Sequence, residues 1–486
     1  MRQTLKRLAK LTAGYSLVTL LGPVVTILLV PLYTRVLAPA DYGVVDVALT
    51  FASLVGIFIN LGVDQALNAF FFDDGPDHQR NLITTAALFV GGCGLVIGLA
   101  IAVLATPLAE VLFKDPSRRP IFYLLALSSI TSPVYGIMSA GLRLQMRVKR
   151  VNALGLTYLA ATVITNIVLI LVLHLKATGI IVTNAVTNLT ACGLSLILAR
   201  DVLFGRFSRS LLRPLIRTGL SLLPGAISTV LLLQVDRLLL TQFVSAGDIG
   251  LYSIANKLAS MIWVLFSAVG IAWNPMALEM ANQPDAPHQY ARVFEYSAIA
   301  WMWFALGLGL FAPEILTIFT RAAYVSAAPY TLVLLIFNGP VSMAAGTFGT
   351  ILFARKHTRL ISVPIMVAAV VNVILNLVLD PLLGVWGAVW ATVLAGAVMM
   401  IGGYVLSQQA VRVPYRMGKV LCLAVVYLSL VAVFLTLPAS NTIPIKVIAM
   451  IVLSLTVLLT GLISRREIEI GGQFLYFRFI RPVLSR

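Results

Sequence analysis

The chain has 486 residues, 60% of them hydrophobic and only 11% charged, with a mean hydropathy of +0.98 and 35 Lys plus Arg against 18 Asp plus Glu, a net charge of +17. A soluble chain carries about 25% charged residues to cover its water-facing surface, so a soluble fold is excluded, and the unbroken runs of Leu, Val, Ile, Ala and Gly exclude the alternating pattern of a transmembrane β-barrel. What remains is an all-α polytopic membrane protein, in which the excess of Lys and Arg marks one membrane face and calls for no nucleic-acid partner.

A spanning helix needs roughly 20 apolar residues. In chain order the runs predict fourteen, near 11–33, 42–63, 82–106, 120–142, 152–173, 178–199, 218–242, 248–274, 293–317, 326–354, 360–379, 383–406, 418–437 and 444–464. The opening MRQTLKRLAK resembles the charged start of a secretory signal, but the apolar run behind it is too long for a signal core and is expected to be kept as the first span. With the N-terminus in the cytoplasm, 26 Lys and Arg fall in inside segments or at their span edges and 7 outside, namely Arg35, Lys114, Arg118, Arg119, Lys176, Arg321 and Lys446. That bias predicts an N-in, C-in arrangement with an even number of spans. Two inside loops depart from it, an acidic one around Asp73, Asp74, Asp77 and Arg80 and a near-neutral one at 276–292, but acidic residues weigh little in the rule.

Cys93, Cys192 and Cys422 all lie within predicted spans, where a thiol serves as a small apolar packing group. The sequence shows no metal-ligand cluster and no GxxxxGK[ST] phosphate loop, and its longest connection is about 18 residues. No cofactor is expected, and no extramembrane ATPase or glycosyltransferase domain can be housed. The tail GGQFLYFRFIRPVLSR at 471–486 reads as a basic, aromatic interfacial segment.

Residues 34–49, TRVLAPADYGVVDVAL, align without a gap on 241–256, TQFVSAGDIGLYSIAN, at an offset of 207, matching Thr34 with Thr241, Asp41 with Asp248, Gly43 with Gly250 and Ala48 with Ala255. Both windows cover the outer end of a span, a tight turn and an Asp-x-Gly that opens the next span. Asp there can cap a helix N-terminus and Gly admits close packing. Six spans separate the windows, so the repeat keeps its orientation and predicts two six-helix lobes related by a pseudo-twofold axis along the membrane normal. The expected division is an N-terminal lobe at 1–205, a C-terminal lobe at 206–410, and two added helices with a basic tail at 411–486. Pro23, Pro133, Pro224 and Pro340 lie inside spans, where each removes a backbone hydrogen bond and can kink its helix; general tolerance of Pro in membranes and a gating role explain them equally well.

The seventh span, LLLQVDRLLLTQF, carries Gln234, Asp236 and Arg237, and the eighth carries Asn256 and Lys257. An ionised group at mid-membrane costs roughly 3 kcal/mol on insertion scales, so these side chains should face protein or water. At 1.5 Å per residue Asp236, Arg237 and Lys257 sit about 10, 9 and 13 Å below the outer end. Those depths let Asp236 pair with Lys257 across the hairpin while Arg237 points elsewhere. The pair is either a buried bridge that fixes the hairpin, or it holds Arg237 and Lys257 as cationic ligands for an anionic substrate. Asp46 reads as a first-turn acid favoured by the helix dipole, with a cavity or ion-coupling role as the alternative. Arg35 reads as a snorkelling interfacial cation with substrate contact as its alternative. Glu295 is a proton or cation candidate, although Arg292 three residues earlier suggests a helical pair. Asn372 and Asn376 share one helix face and either line a cavity or bond between helices.

PLYTRVLAPADYGVVDVA at 31–48 and LLLQVDRLLLTQFVSAGDIGLYSIANKL at 231–258, together with fourteen spans and basic inside loops, resemble bacterial polysaccharide flippases of the Wzx type, in the multidrug/oligosaccharidyl-lipid/polysaccharide exporter superfamily. The resemblance implies transport of an undecaprenyl-diphosphate-linked oligosaccharide from the cytoplasmic to the outer leaflet of the bacterial inner membrane, through a cationic cavity between the lobes. It also implies membrane lipids and other polysaccharide-assembly proteins as partners. Arg237 and Lys257 match charged positions of the second-lobe hairpin, with the diphosphate or acidic sugars as their targets. A lipid II flippase would share the span count. A multidrug exporter of the superfamily would have twelve spans and an acidic first-lobe cavity, a glycan polymerase or ligase would show a large outside loop with catalytic groups, and a scaffold protein would not need Asp236, Arg237 and Lys257 within spans.

Overall fold

A computed structural model describes residues 21–463 apart from 23, 27, 201–203, 282, 358–359 and 438–441, and these residues form helices without a strand among them. The signal-like opening and most of the first span, Pro23 and the interfacial tail lie outside the described residues. Twelve described helices are long and apolar enough to cross a membrane, which makes this a multi-pass membrane protein. Of the other two expected spans, the first is represented by α1 (Val24–Val36). The eighth is broken at Met261 into Ala246–Ser260 and Ile262–Met280. The seventh starts at Arg209, nine residues before its expected start, because its first two turns are basic and amphipathic rather than apolar.

Helix starts follow local chemistry. Proline occupies the first or second position of α2 (Pro39–Asn60), α4 (Pro76–Val103) and α6 (Pro120–Leu144). There its missing N–H is one of the donors a helix start leaves unpaired anyway. The end of α2 is set by Leu61 and Gly62, both left-handed at φ 46° and 72°, after which α3 (Val63–Phe70) restarts in a new direction. A Cβ on Gly62 would stand 2.5 Å from the Gly219 carbonyl oxygen, so the turn requires glycine. Pro133, Pro224 and Pro340 lie inside helices.

The offset of 207 extends well beyond the two turns. The short helix α5 (Ala105–Phe113) corresponds to Ala312–Phe319, the following 3₁₀ turn Pro116–Arg118 to Ala322–Ala327, and the internal Pro133 to Pro340. Even the residues that interrupt the preceding helices, Leu104 and Phe311, keep this spacing.

The chain divides into two compact units. The first comprises Met1–Lys257, Leu316–Ala327 and Ile365–Ala395. In it α4 crosses α6 so closely that a Cβ on Gly94 would stand 2.4 Å from the Ser129 oxygen and one on Gly98 2.9 Å from that of Ala126. Val63, Leu67, Phe71, Ile83, Val90, Ile137 and Leu154 belong to one buried apolar core cluster. The second unit comprises Leu258–Ile315, Ala328–Pro364 and Gly396–Arg486. Its helix Ala286–Leu310 packs against Ala328–Met343 and against the last two helices, Met417–Thr436 and Ile443–Thr460. Trp301 lies on Gly339 and meets Tyr427 edge-on. Lys446, wholly buried, reaches both Glu314 carboxylate oxygens at 2.6 and 2.8 Å, which ties the final helix to this unit. In both units large apolar side chains such as Ile197, Leu382 and Leu459 point outward, the surface a bilayer covers.

Candidate functional site

Within the first unit, beyond α7 (Val148–Asn166) and α8 (Lys176–Leu198), α2 and two further helices, α9 (Arg209–Leu240) and α10 (Ala246–Ser260), bring four charges together. Arg237 is the hub. Its Nε lies 2.8 Å from Asp46 Oδ2 and its Nη1 3.3 Å from Asp236 Oδ1, while Nη1 also donates to the Leu233 carbonyl at 2.8 Å. Asp236 accepts a further hydrogen bond from the Tyr252 hydroxyl, and the Tyr252 ring lies 5.8 Å from the Arg237 guanidinium carbon. Asp46 also faces Lys257, whose Nζ is 3.9 Å from Oδ1 and donates to the Tyr42 hydroxyl. Two carboxylates thus meet two cations, and the cluster is formally neutral.

This pairing differs from the sequence expectation. Lys257 does not bridge to Asp236; Asp46 takes it, and Arg237, expected to point away, is the residue Asp236 holds. Tyr42 and Asp46 lie one turn apart on α2, so together they receive a cation from α10 that α9 alone could not hold. Nor is Asp46 a first-turn acid. Pro39 starts the helix, which moves Asp46 a full turn inward to a side chain only 13% exposed. Lys257 is the accessible member, its side chain 33% exposed against 10% for Arg237. Gln234 and Asn256 are half-buried on the same two helices.

A second polar feature was only partly visible in the sequence. Asn372 and Asn376 are fully buried on the helix Ser362–Leu383, and Asn376 Nδ2 donates to the Asn372 backbone and side-chain oxygens at 2.7 and 3.2 Å, an intrahelical link rather than one between helices. One turn further Asp380 is also buried, and neither of its carboxylate oxygens has a hydrogen-bond partner among the described residues. Tyr252, the Asp236 donor, is 3.5 Å from Thr392 Oγ1 on the next helix, Val385–Ala410. The spacing 372, 376, 380 is an i, i+4, i+8 stripe, but the expected span ended at 379 and excluded its last member.

The remaining candidates sit apart. Glu295, in the second unit, is buried and paired with Arg292 at 3.1 Å, the helical pair the spacing suggests, and with Arg416 at 3.8 Å. Arg35 is exposed and donates to the Ile318 carbonyl at 3.0 Å. The glycines of the repeat pack directly on each other: a Cβ on Gly43 would stand 2.0 Å from the Ala246 oxygen, and one on Gly250 1.9 Å from the Pro39 oxygen. Asp248 is not the cap itself but its partner, accepting from the Ser245 hydroxyl at 2.6 Å while Ser245 Oγ accepts the Asp248 N–H at 3.2 Å.

The fold and this arrangement of helices are those of membrane transporters. A lipid II flippase, MurJ, in an inward closed conformation superposes with a TM-score of 0.69 over 90% of this chain and 97% of that one, at 11% identity. An inward-facing MATE family multidrug resistance transporter of the MOP superfamily gives 0.60 over 80% and 95% at 15% identity, and the Vibrio cholerae MATE transporter VcmN 0.57 over 84% and 97% at 15%. No curated protein matches the sequence. Residues 32–329 match the family described as "Polysaccharide biosynthesis protein", and the chain belongs to that family.

Proposed function

We propose that the protein is a flippase that moves an undecaprenyl-diphosphate-linked oligosaccharide from the cytoplasmic to the outer leaflet of the bacterial inner membrane, by alternating access between lobes 1–205 and 206–410, with both termini cytoplasmic. The observation that carries this reading is Lys257, a cation well inside the expected spans, one-third exposed and held by Tyr42 and Asp46, in a member of a polysaccharide-biosynthesis family. An anionic headgroup crossing about 30 Å of hydrocarbon needs such a partner, while its lipid tail can stay in the bilayer. Arg237, locked between two carboxylates, organises the cluster, and Lys257 contacts the diphosphate or an acidic sugar. Asp46 and Glu295 already hold cations from the protein, so Asp380, buried one turn beyond Asn376 and without a hydrogen-bond partner among the described residues, is the better place for a coupling proton or sodium ion: carboxylate and amide oxygens suit a small hard cation.

Deleting the gene tests the substrate: a polyprenyl-diphosphate-linked glycan should accumulate on the inner leaflet, and its absence there would refute the reading. The likeness of fold to MurJ supports lipid II as the second candidate, and the glycan on the accumulated lipid decides between the two.

A further inference from the structure

The first unit also contains a cleft of about 470 Å³ between the α2–α3 elbow and α6, lined by Gly56, Asn60, Asp64, Gln65, Asn68, Ser132, Gly136 and Arg143. The left-handed Leu61–Gly62 turn allows residues on both sides of the helix break to face one space. Local hydrogen bonds use part of each side chain: Asn60 Oδ1 accepts the Asp64 N–H at 3.3 Å, Asp64 Oδ1 accepts the Gln65 N–H at 2.8 Å, and Asn68 Nδ2 donates to the Asp64 carbonyl at 3.1 Å. That fixes the side chains and leaves Asn60 Nδ2, Asp64 Oδ2, Asn68 Oδ1 and the Gln65 amide for a ligand. Arg143 makes one long contact, to Ser139 Oγ at 3.4 Å, and its remaining N–H groups are available.

The second half of the repeat lacks most of these groups. At the positions 207 residues later stand Ser267 for Asn60, Ile271 for Asp64, Ala272 for Gln65, Pro275 for Asn68, Gly339 for Ser132 and Thr350 for Arg143, while Pro133 keeps its match in Pro340. The second half keeps the proline of the facing helix, but positions 268 and 269 lie inside the continuous helix Ile262–Met280, so the elbow and its polar lining both belong to the first half alone. Amide, carboxylate and hydroxyl groups together offer donors and acceptors in alternation, the complement of adjacent sugar hydroxyls, and a guanidinium pairs with phosphate. By the charge bias, the inner ends of the second and fourth spans lie toward the cytoplasm, where a lipid-linked glycan is first met.

Resting on the flippase reading, we propose that this cleft is a carbohydrate subsite that receives the lipid-proximal sugar of the headgroup, with Asn60, Asp64, Gln65 and Asn68 on the sugar hydroxyls and Arg143 toward the diphosphate. The test uses the full-length protein in nanodiscs with two probes, undecaprenyl diphosphate carrying one N-acetylglucosamine and undecaprenyl diphosphate alone. The wild type should bind the glycosylated probe more tightly. Gln65→Ala and Asn68→Ala, at exposed positions, should each weaken it about tenfold, the loss of one or two hydrogen bonds, and leave the bare lipid unchanged; Arg143→Gln should weaken both probes. If the wild type shows no preference, or the alanine variants keep it, the subsite is overturned while the flippase stands. If neither probe binds above background, the flippase reading falls as well. Thermal melting of each variant confirms that the fold is intact.

Discussion

Removing Arg237 would leave Asp46 and Asp236 buried beside each other without the cation that bridges them at 2.8 and 3.3 Å. Breaking a buried pair from one side costs about 3–5 kcal/mol, because the abandoned charge stays out of water. Arg237→Ala is therefore expected to lower the melting temperature strongly in detergent, and Asp46→Asn with Asp236→Asn in the same chain should restore part of it, a coupling that a double-mutant cycle reads directly. Lys257→Ala should behave differently: its weaker, one-third-exposed pairing contributes about 1 kcal/mol or less, so the variant should fold while reconstituted vesicles flip lipid-linked glycan at least tenfold more slowly. Normal flipping by Lys257→Ala would leave the cluster as a structural joint. Asp380→Asn is expected to fold, since no protein partner is lost, and to remove the dependence of transport on an imposed proton or sodium gradient. These charges were legible as intrusions in apolar runs, but their partners were not. Asp46 comes from a helix nearly 200 residues away in sequence, its depth was fixed by where Pro39 starts that helix, and Asp380 fell outside by a single residue of span length.

At the scale of the helix pair, the contact of α2 with α10 depends on having no side chain at two positions. A methyl on Gly43 or Gly250 would overlap a backbone oxygen of the partner turn, and backbone cannot move aside as a flexible side chain can. Gly43→Ala and Gly250→Ala should each destabilise the protein by about 1–3 kcal/mol. Gly92→Ala is the control: it lies mid-helix in α4 with no atom within 4 Å of the added Cβ, and should be neutral or raise stability by up to about 1 kcal/mol. Melting curves of the three purified variants decide the matter, and equal behaviour would refute the close-contact argument. Hydropathy alone placed most spans because apolar length is a strong constraint in a bilayer. The register of the repeat was far less visible. Four identities marked one window, whereas the structure keeps the same offset in the break at Leu104 and Phe311, the short helices and an internal proline, features that survive while lipid-facing residues exchange freely among Leu, Val, Ile and Ala.

For the molecule as a whole, the repeat makes a specific statement about the end where its two Asp-x-Gly turns meet. Arg35 donates to the Ile318 carbonyl at 3.0 Å, and Gln242 Nε2 donates to the Val111 carbonyl at 3.2 Å. Arg35 and Gln242 are 207 residues apart, and so are Val111 and Ile318. Each half of the repeat therefore extends a side chain from the end of its first span to the same short helix of the other half, in the reciprocal pattern that a twofold axis imposes. With Gly43 against Gly250 between them, these bonds latch the halves together at this end, so in the proposed transport cycle they must break before this end opens. A partly exposed hydrogen bond contributes about 0.5–1 kcal/mol. Losing both moves a two-state equilibrium by about 1–2 kcal/mol, or about five- to thirtyfold toward the open form. The double variant Arg35→Ala, Gln242→Ala should therefore fold normally and exchange amide hydrogens faster in segments 33–45 and 240–252, while either single variant gives about half the shift in free energy. Because neither residue contacts the ion cluster, binding of lipid-linked glycan from the cytoplasmic side should weaken only as far as that population moves. Unchanged exchange in the double variant would mean that the glycine contact alone closes this end.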